Sequence, residues 1–171
     1  NTDMAITSGE LKITIQESIT LPNKNEEILF NQTTISDISQ TTRRTDTIST
    51  TFSGSGVEIL KFVDSESEQT AGSFVRDSVK YMRFTNLDDE NFLSLYLIQD
   101  TTTSEDNGIF KLNPGKSMVF SNGQFDSNNV ADYVVGGYAD EQYFASFASL
   151  SSIKAKADTA SVQIEYFIAS S

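Results

Sequence analysis

The sequence predicts an all-β fold of antiparallel strands, arranged as a sandwich or a barrel. Apolar and polar residues alternate with period two in segment after segment, as in strands with one buried and one wet face. Turn-forming residues interrupt that pattern about every ten residues, which keeps the strands short. No long amphipathic helix, strand–helix rhythm or repeat of fixed period competes with this reading. A length of 171 residues suits one domain with a single core.

Met4-Ala5 reads as a natural translation start, so Asn1-Thr2-Asp3 are set aside as a remnant or an upstream extension. Leu11, Ile13, Ile15, Ile19 and Leu21 share one parity, with only Glu17 breaking the alternation. Pro22-Asn23-Lys24-Asn25 then ends the strand, because Pro lacks a donor and Asn tolerates left-handed backbone. From Gln32 to Phe52 the chain is rich in Thr and Ser. Such bias also marks linkers, but Ile35, Ile38 and Ile48 need burial and β-branched Thr favours extended backbone. Strands are therefore expected there.

Gly54-Ser55-Gly56 reads as a tight turn before a strand from Val57 to Val63, and Asp64 to Ala71 as an acidic loop. Val79–Thr85 and Phe92–Gln99 read as strands joined by a polar loop. Asp100 to Gly108 separates them from Ile109–Leu112. Asn113-Pro114-Gly115 places Pro and Gly at the two central positions of a turn leading into Ser117–Phe120. Val130–Tyr138 reads as a strand interrupted by Gly136-Gly137. Tyr143, Phe147, Leu150 and Ile153 recur at helical spacing, which allows at most one short helix near 141–150. Ile153, Ala155 and Ala157 alternate with Lys154, Lys156 and Asp158. A turn at Asp158-Thr159-Ala160 leads to a last strand with Val162, Ile164, Tyr166 and Ile168 on one parity.

The chain contains no Cys, His or Trp. That removes thiolate nucleophiles, Ser–His–Asp triads, His metal sites and His proton shuttles, and leaves no disulfides. Twelve Lys and Arg stand against 24 Asp and Glu, for a net charge of −12. A domain so charged repels nucleic acid and anionic membranes, and only Arg43-Arg44 forms a basic cluster in the sequence. Apolar runs such as Leu95 to Ile98 are no longer than four residues, too short to span a bilayer.

Motifs with chemical potential each meet a plainer explanation. Gly115-Lys116-Ser117 resembles the end of a phosphate loop, but Phe110 stands where its first glycine belongs and a strand follows. Asp100, Thr102, Ser104 and Asp106 alternate like calcium ligands, yet Glu105 and Lys111 replace the required Gly and Glu. Asp88, Asp89, Glu90 and Asp106 could supply a looser calcium site, although a solvated acidic loop accounts for them better. Glu17 and Glu165 lie within strands and would be the carboxylates to examine for glycoside hydrolysis, which needs two of them about 5–10 Å apart. Lys116 and Ser117 are neighbours on a strand and point apart, unlike a dyad. Asn31-Gln32-Thr33 fits a glycosylation sequon but no secretory signal accompanies it. Phe167 lies opposite in parity to Ile164 and Ile168, so it marks a contact or ligand surface if exposed. No catalytic, cofactor or metal residue is assigned.

Two stretches together carry a family resemblance. The first runs from Arg83-Phe84-Thr85-Asn86 through Leu87-Asp88-Asp89-Glu90-Asn91 and Phe92-Leu93-Ser94-Leu95-Tyr96 to Asn113-Pro114-Gly115-Lys116-Ser117. The second is Ala157-Asp158-Thr159-Ala160 followed by Val162-Gln163-Ile164-Glu165-Tyr166. They resemble small virion structural proteins of tailed phages, marine ones especially. The resemblance covers about the second half of the chain and carries over no functional residue. It implies a virion component of the capsid exterior or the tail, with a jelly-roll-like sandwich. The leading reading is therefore a non-enzymatic virion structural protein, a homo-oligomer acting through contacts with other virion proteins. The alternative is an adhesin-like sandwich that binds glycans; a carboxylate-based glycosidase stands further off.

Overall fold

Residues 8–17, 22, 29–50, 56–99, 107–121, 147 and 150–171 are described by the computed structural model. Among them, alternating sequence becomes strand almost throughout: β1 (Gly9–Glu17), β2 (Leu29–Ile38), β3 (Gln40–Ile48), β4 (Val57–Val63), β5 (Ser73–Val75) and β6 (Val79–Asn86). β7 (Leu93–Gln99), β8 (Asn107–Leu112), β9 (Ser117–Ser121), β10 (Leu150–Ala157) and β11 (Val162–Ser170) follow. Two 3-10 turns, Glu66–Glu68 and Arg76–Ser78, flank β5.

One sheet has the order β5-β4-β10-β7-β8 and the other β3-β11-β6-β9, while β1 and β2 pair separately. β3 pairs with β11, β4 with β10, β6 with β9 and β7 with β8, all antiparallel. The chain is thus a long two-stranded ribbon that turns back between β7 and β8 and is rolled up. Rolling brings β11 beside β6 and β10 beside β7. This is the strand order of a jelly roll, and the all-β sandwich expected from alternation is what forms.

Leu60, Phe62, Leu93, Leu95, Leu97 and Ile153 of the five-stranded sheet meet Ile48, Met82, Phe84, Ile164, Tyr166 and Ile168 of the four-stranded sheet in one core. Each is at most 3% exposed, so each large side chain contributes about 1.5–3 kcal/mol of transfer free energy. Two turns behave as their residues demand. Gly115 takes φ +65°, and the Lys116 amide donates to the Asn113 carbonyl at 3.2 Å, closing the Asn-Pro-Gly turn. Gly56 takes φ +90° where a Cβ would collide with the Ala155 carbonyl.

Three expectations change. Leu150 and Ile153 lie on β10, and their helical spacing has another cause. A register shift between Leu150 and Ser152 absorbs one residue, so positions three apart both face the core. Residues 141–146 of the expected helix, like the expected strand Val130–Tyr138, lie outside the described residues. The segment β5 was not expected at all, and it pairs with β4 in parallel, so the larger sheet is mixed. The Thr-rich region is strand, as its isoleucines required, but it divides between a separate hairpin strand and a sandwich edge.

Candidate functional site

Two sheets leave two outer faces, and alternation places different chemistry on each. On β11, Val162, Ile164, Tyr166 and Ile168 point inward, so Glu165, Phe167 and Ala169 point out. Register aligns Arg43, Phe167, Arg83 and Val119 in one outward row and Thr41, Ala169, Tyr81 and Ser121 in the next. The β1–β2 hairpin lies over part of this face. Its Leu11, Ile13, Ile35 and Ile38 pack with Tyr81, Phe167 and Ala169 in a second, smaller apolar cluster. Phe167 therefore has an intramolecular partner for its outward parity. It is half-buried, meets Tyr81 edge-on at 6.0 Å, and has the Arg83 guanidinium 5.9 Å from its ring.

Beside that cluster, Glu165 accepts from Arg43 Nε at 2.8 Å through one oxygen and from Arg83 at 2.7 Å through the other. Its side chain is 12% exposed. The Arg43 hydrogen bond, with the charges of Arg43 and Arg83, holds the carboxyl below its ordinary range although burial opposes this. This strand glutamate is a structural clamp between two arginines. The side chain of Glu17 lies outside the described residues.

The outer face of the five-stranded sheet is of another kind. Leu93, Leu95 and Leu97 point inward, so Ser94, Tyr96 and Ile98 point out. Three rows result: Lys111–Ser94–Lys156, Ile109–Tyr96–Lys154–Glu58 and Ile98–Ser152–Lys61. Four lysines and one acid thus share this face of a chain whose net charge is −12. Ile109 is 62% exposed and Tyr96 and Ile98 are half-buried. Among the described residues no second layer covers these rows. The sequence shows Lys154 and Lys156 as outward positions, but their company with Lys61 and Lys111 arises only from pairing β10 with β4 and β7 with β8.

A cleft of about 360 Å³ opens where the β3 edge faces β4 and the segment before β5. Arg44, Asp46, Glu58, Lys61, Thr70, Gly72 and the Tyr166 hydroxyl line it. The hydroxyl donates to Asp46 at 2.8 Å. Burial and that bond push the phenol up to about 12, with the nearby Arg44 acting against them. Among the described residues Tyr166 is the cleft's one aromatic, and at 1% exposed it offers no ring face to a sugar.

The loops around Asn86–Asn91, Asn113–Lys116 and Asp158–Ala160 meet at one end of the roll. Buried Asn86 donates to the carbonyls of Asn91 (2.9 Å) and Leu112 (3.1 Å) and accepts from the Asp88 amide (2.9 Å). One Asp88 oxygen accepts from the Asn91 amide at 2.6 Å and the Glu90 amide at 2.9 Å, which lowers its pKa. Gly115 donates to the Asp88 carbonyl, and Thr159 donates to Asn91. The Asp-rich turn is thus occupied in joining three loops; Asp100 to Asp106 lie outside the described residues. Lys116 closes the turn and Ser117 opens β9, where the Ser117 hydroxyl pairs with Thr85 at 2.8 Å, as a turn-and-strand reading requires.

Searches against protein-family models, curated proteins and solved structures find no match to this chain.

Proposed function

We propose that this chain is a non-enzymatic virion structural protein, a capsid-decorating or tail-associated subunit that works through protein–protein contacts. The observation that carries the reading is the outer face of the five-stranded sheet, which no described residue outside the sheet covers. There Lys61, Lys111, Lys154 and Lys156 border Tyr96, Ile98 and Ile109 along one end and on the β10–β4 side, on an otherwise acidic molecule. An apolar patch bordered by charge is the makeup of a docking surface, and the lysines suit an acidic patch on another virion protein. A rigid jelly roll supplies the platform, and copies of the chain associate with one another on the particle. The fold itself also serves lectins, so the face rather than the fold supports the reading.

Co-sedimentation with candidate phage particles or their isolated shell and tail proteins tests this. Binding should be strongest at low salt and weaken as salt screens the lysines. A variant carrying Lys61→Glu, Lys111→Glu and Lys156→Glu should lose it. Absence of binding at low salt, or equal binding by the variant, would overturn the assignment of this face.

A further inference from the structure

We infer that the β1–β2 hairpin is an exchangeable arm, and that its second docking place is the outer face of the four-stranded sheet on another copy of this chain. The inference rests on the assembly reading above and adds a partner and a device to it.

The hairpin's apolar side is longer than the surface it covers. Leu11, Ile13 and Ile15 lie on one side of β1. Leu11 and Ile13 are half-buried against the sandwich, whereas Ile15 is 58% exposed. β1 stays paired with β2 beyond Ile15, to Glu17 opposite Leu29. The arm therefore keeps its strand structure past the end of its own packing.

The attachment of the arm is short and strained. Ser39 alone separates β2 from β3, so the chain folds within a few residues from a strand lying over the sheet into that sheet's edge. At this fold Asp37 has φ +60°, the one non-glycine with positive φ among the described residues. A short, strained connection favours domain exchange, because opening it relieves strain while every arm–body contact can be remade between copies. The site to be refilled is Tyr81, Phe167 and Ala169, which a second copy presents identically. That identity specifies the occupant: no other surface is certain to match Leu11, Ile13, Ile35 and Ile38.

Substitution at Asp37 separates the two arrangements, with sedimentation velocity across a concentration series as the readout. Asp37→Val disfavours positive φ and should tighten self-association. About tenfold per connection, or about a hundredfold in the dissociation constant of a symmetric dimer, is expected. Asp37→Gly accepts positive φ without strain and should weaken it, and it keeps the test open if the Val variant fails to fold. Asp37→Asn, tolerant of positive φ and still an acceptor for Ser8, should leave it unchanged. A protein that stays monomeric with either Asp or Val at position 37 overturns the inference, as does self-association indifferent to Val and Gly. Loss of self-association in the triple lysine variant would move the second copy to the five-stranded face, overturning arm exchange alone. Normal arm exchange without particle binding would instead overturn the docking assignment.

Discussion

The outer faces of the two sheets start from the same alternation and end differently. On the four-stranded sheet the outward residues include Tyr81, Phe167 and Ala169, and a hairpin of the same chain packs over them. On the five-stranded sheet four lysines stand outward among Ser94, Ser152, Glu58, Ile98, Tyr96 and Ile109, and no described element covers them. The difference teaches that outward parity alone does not define an exposed surface. What matters is whether the outward row is apolar enough to recruit a cover from the chain itself. Lysines spread through the outward rows keep water on the face until an acidic partner replaces it.

Truncating an aromatic on each face breaks the comparison most directly. Tyr81→Ala should cost about 2–4 kcal/mol, because Tyr81 is 6% exposed between hairpin and sheet. Tyr96→Ala should cost less than about 1 kcal/mol, because Tyr96 is only half-buried and no described element lies over it. Urea midpoints of the two variants measure the gap, and equal losses would remove the distinction.

Glu165→Ala should follow at about 1–2 kcal/mol, since charge-assisted bonds to Arg43 and Arg83 are lost at a site that solvent partly screens. Glu165 also gives this face a pH signature. Its folded pKa lies below the ordinary value of 4.5, so its contribution is fully present above that value and is lost as pH falls through the lowered one. Melting temperatures between neutral and acid pH should fall less steeply in Glu165→Gln.

Tyr166, on the inward side of the same strand, sharpens the contrast at the other end of the pH scale. Its phenol titrates near 12 when folded and near 10 when unfolded. The unfolded chain therefore loses this proton first, and stability declines as pH rises from about 10 towards 12. Tyr166→Phe should flatten that alkaline limb of the melting curve.

The smallest effect belongs to the lysine-bearing face of the five-stranded sheet. Lys61→Glu and Lys156→Glu should each shift stability by no more than about 0.5 kcal/mol while changing the salt dependence of binding. A large loss of stability would show that these lysines hold the fold.

Parity was legible in the sequence nearly strand by strand. Leu93, Leu95 and Leu97 alternate with Ser94, Tyr96 and Ile98, and the roll uses the first set inside and the second outside. Partnership was not legible. Nothing local announces that Glu165 will lie between Arg43 and Arg83, because β11 meets β3 and β6 only after the ribbon is rolled. β5 escaped notice because three residues cannot establish a period. Helical spacing at Leu150 and Ile153 misled because a bulge and a helical turn both return a side chain to one face after three positions.

The roll also sets an order of events in folding. Its innermost pairing, β7 with β8, joins strands that are neighbours in the chain, whereas Arg43 and Glu165 across β3 and β11 are 122 residues apart. Loop-closure entropy favours the near pairing first, so the β3–β11 seam should close late and the Glu165 clamp should be weak in the transition state. Glu165→Ala should accordingly hasten unfolding more than it slows refolding, and stopped-flow rates with the opposite balance would contradict this order. During that interval the hairpin, carried on β3, has no finished surface beneath it. Which copy's sheet it settles on is then a matter of timing and local concentration as well as of affinity.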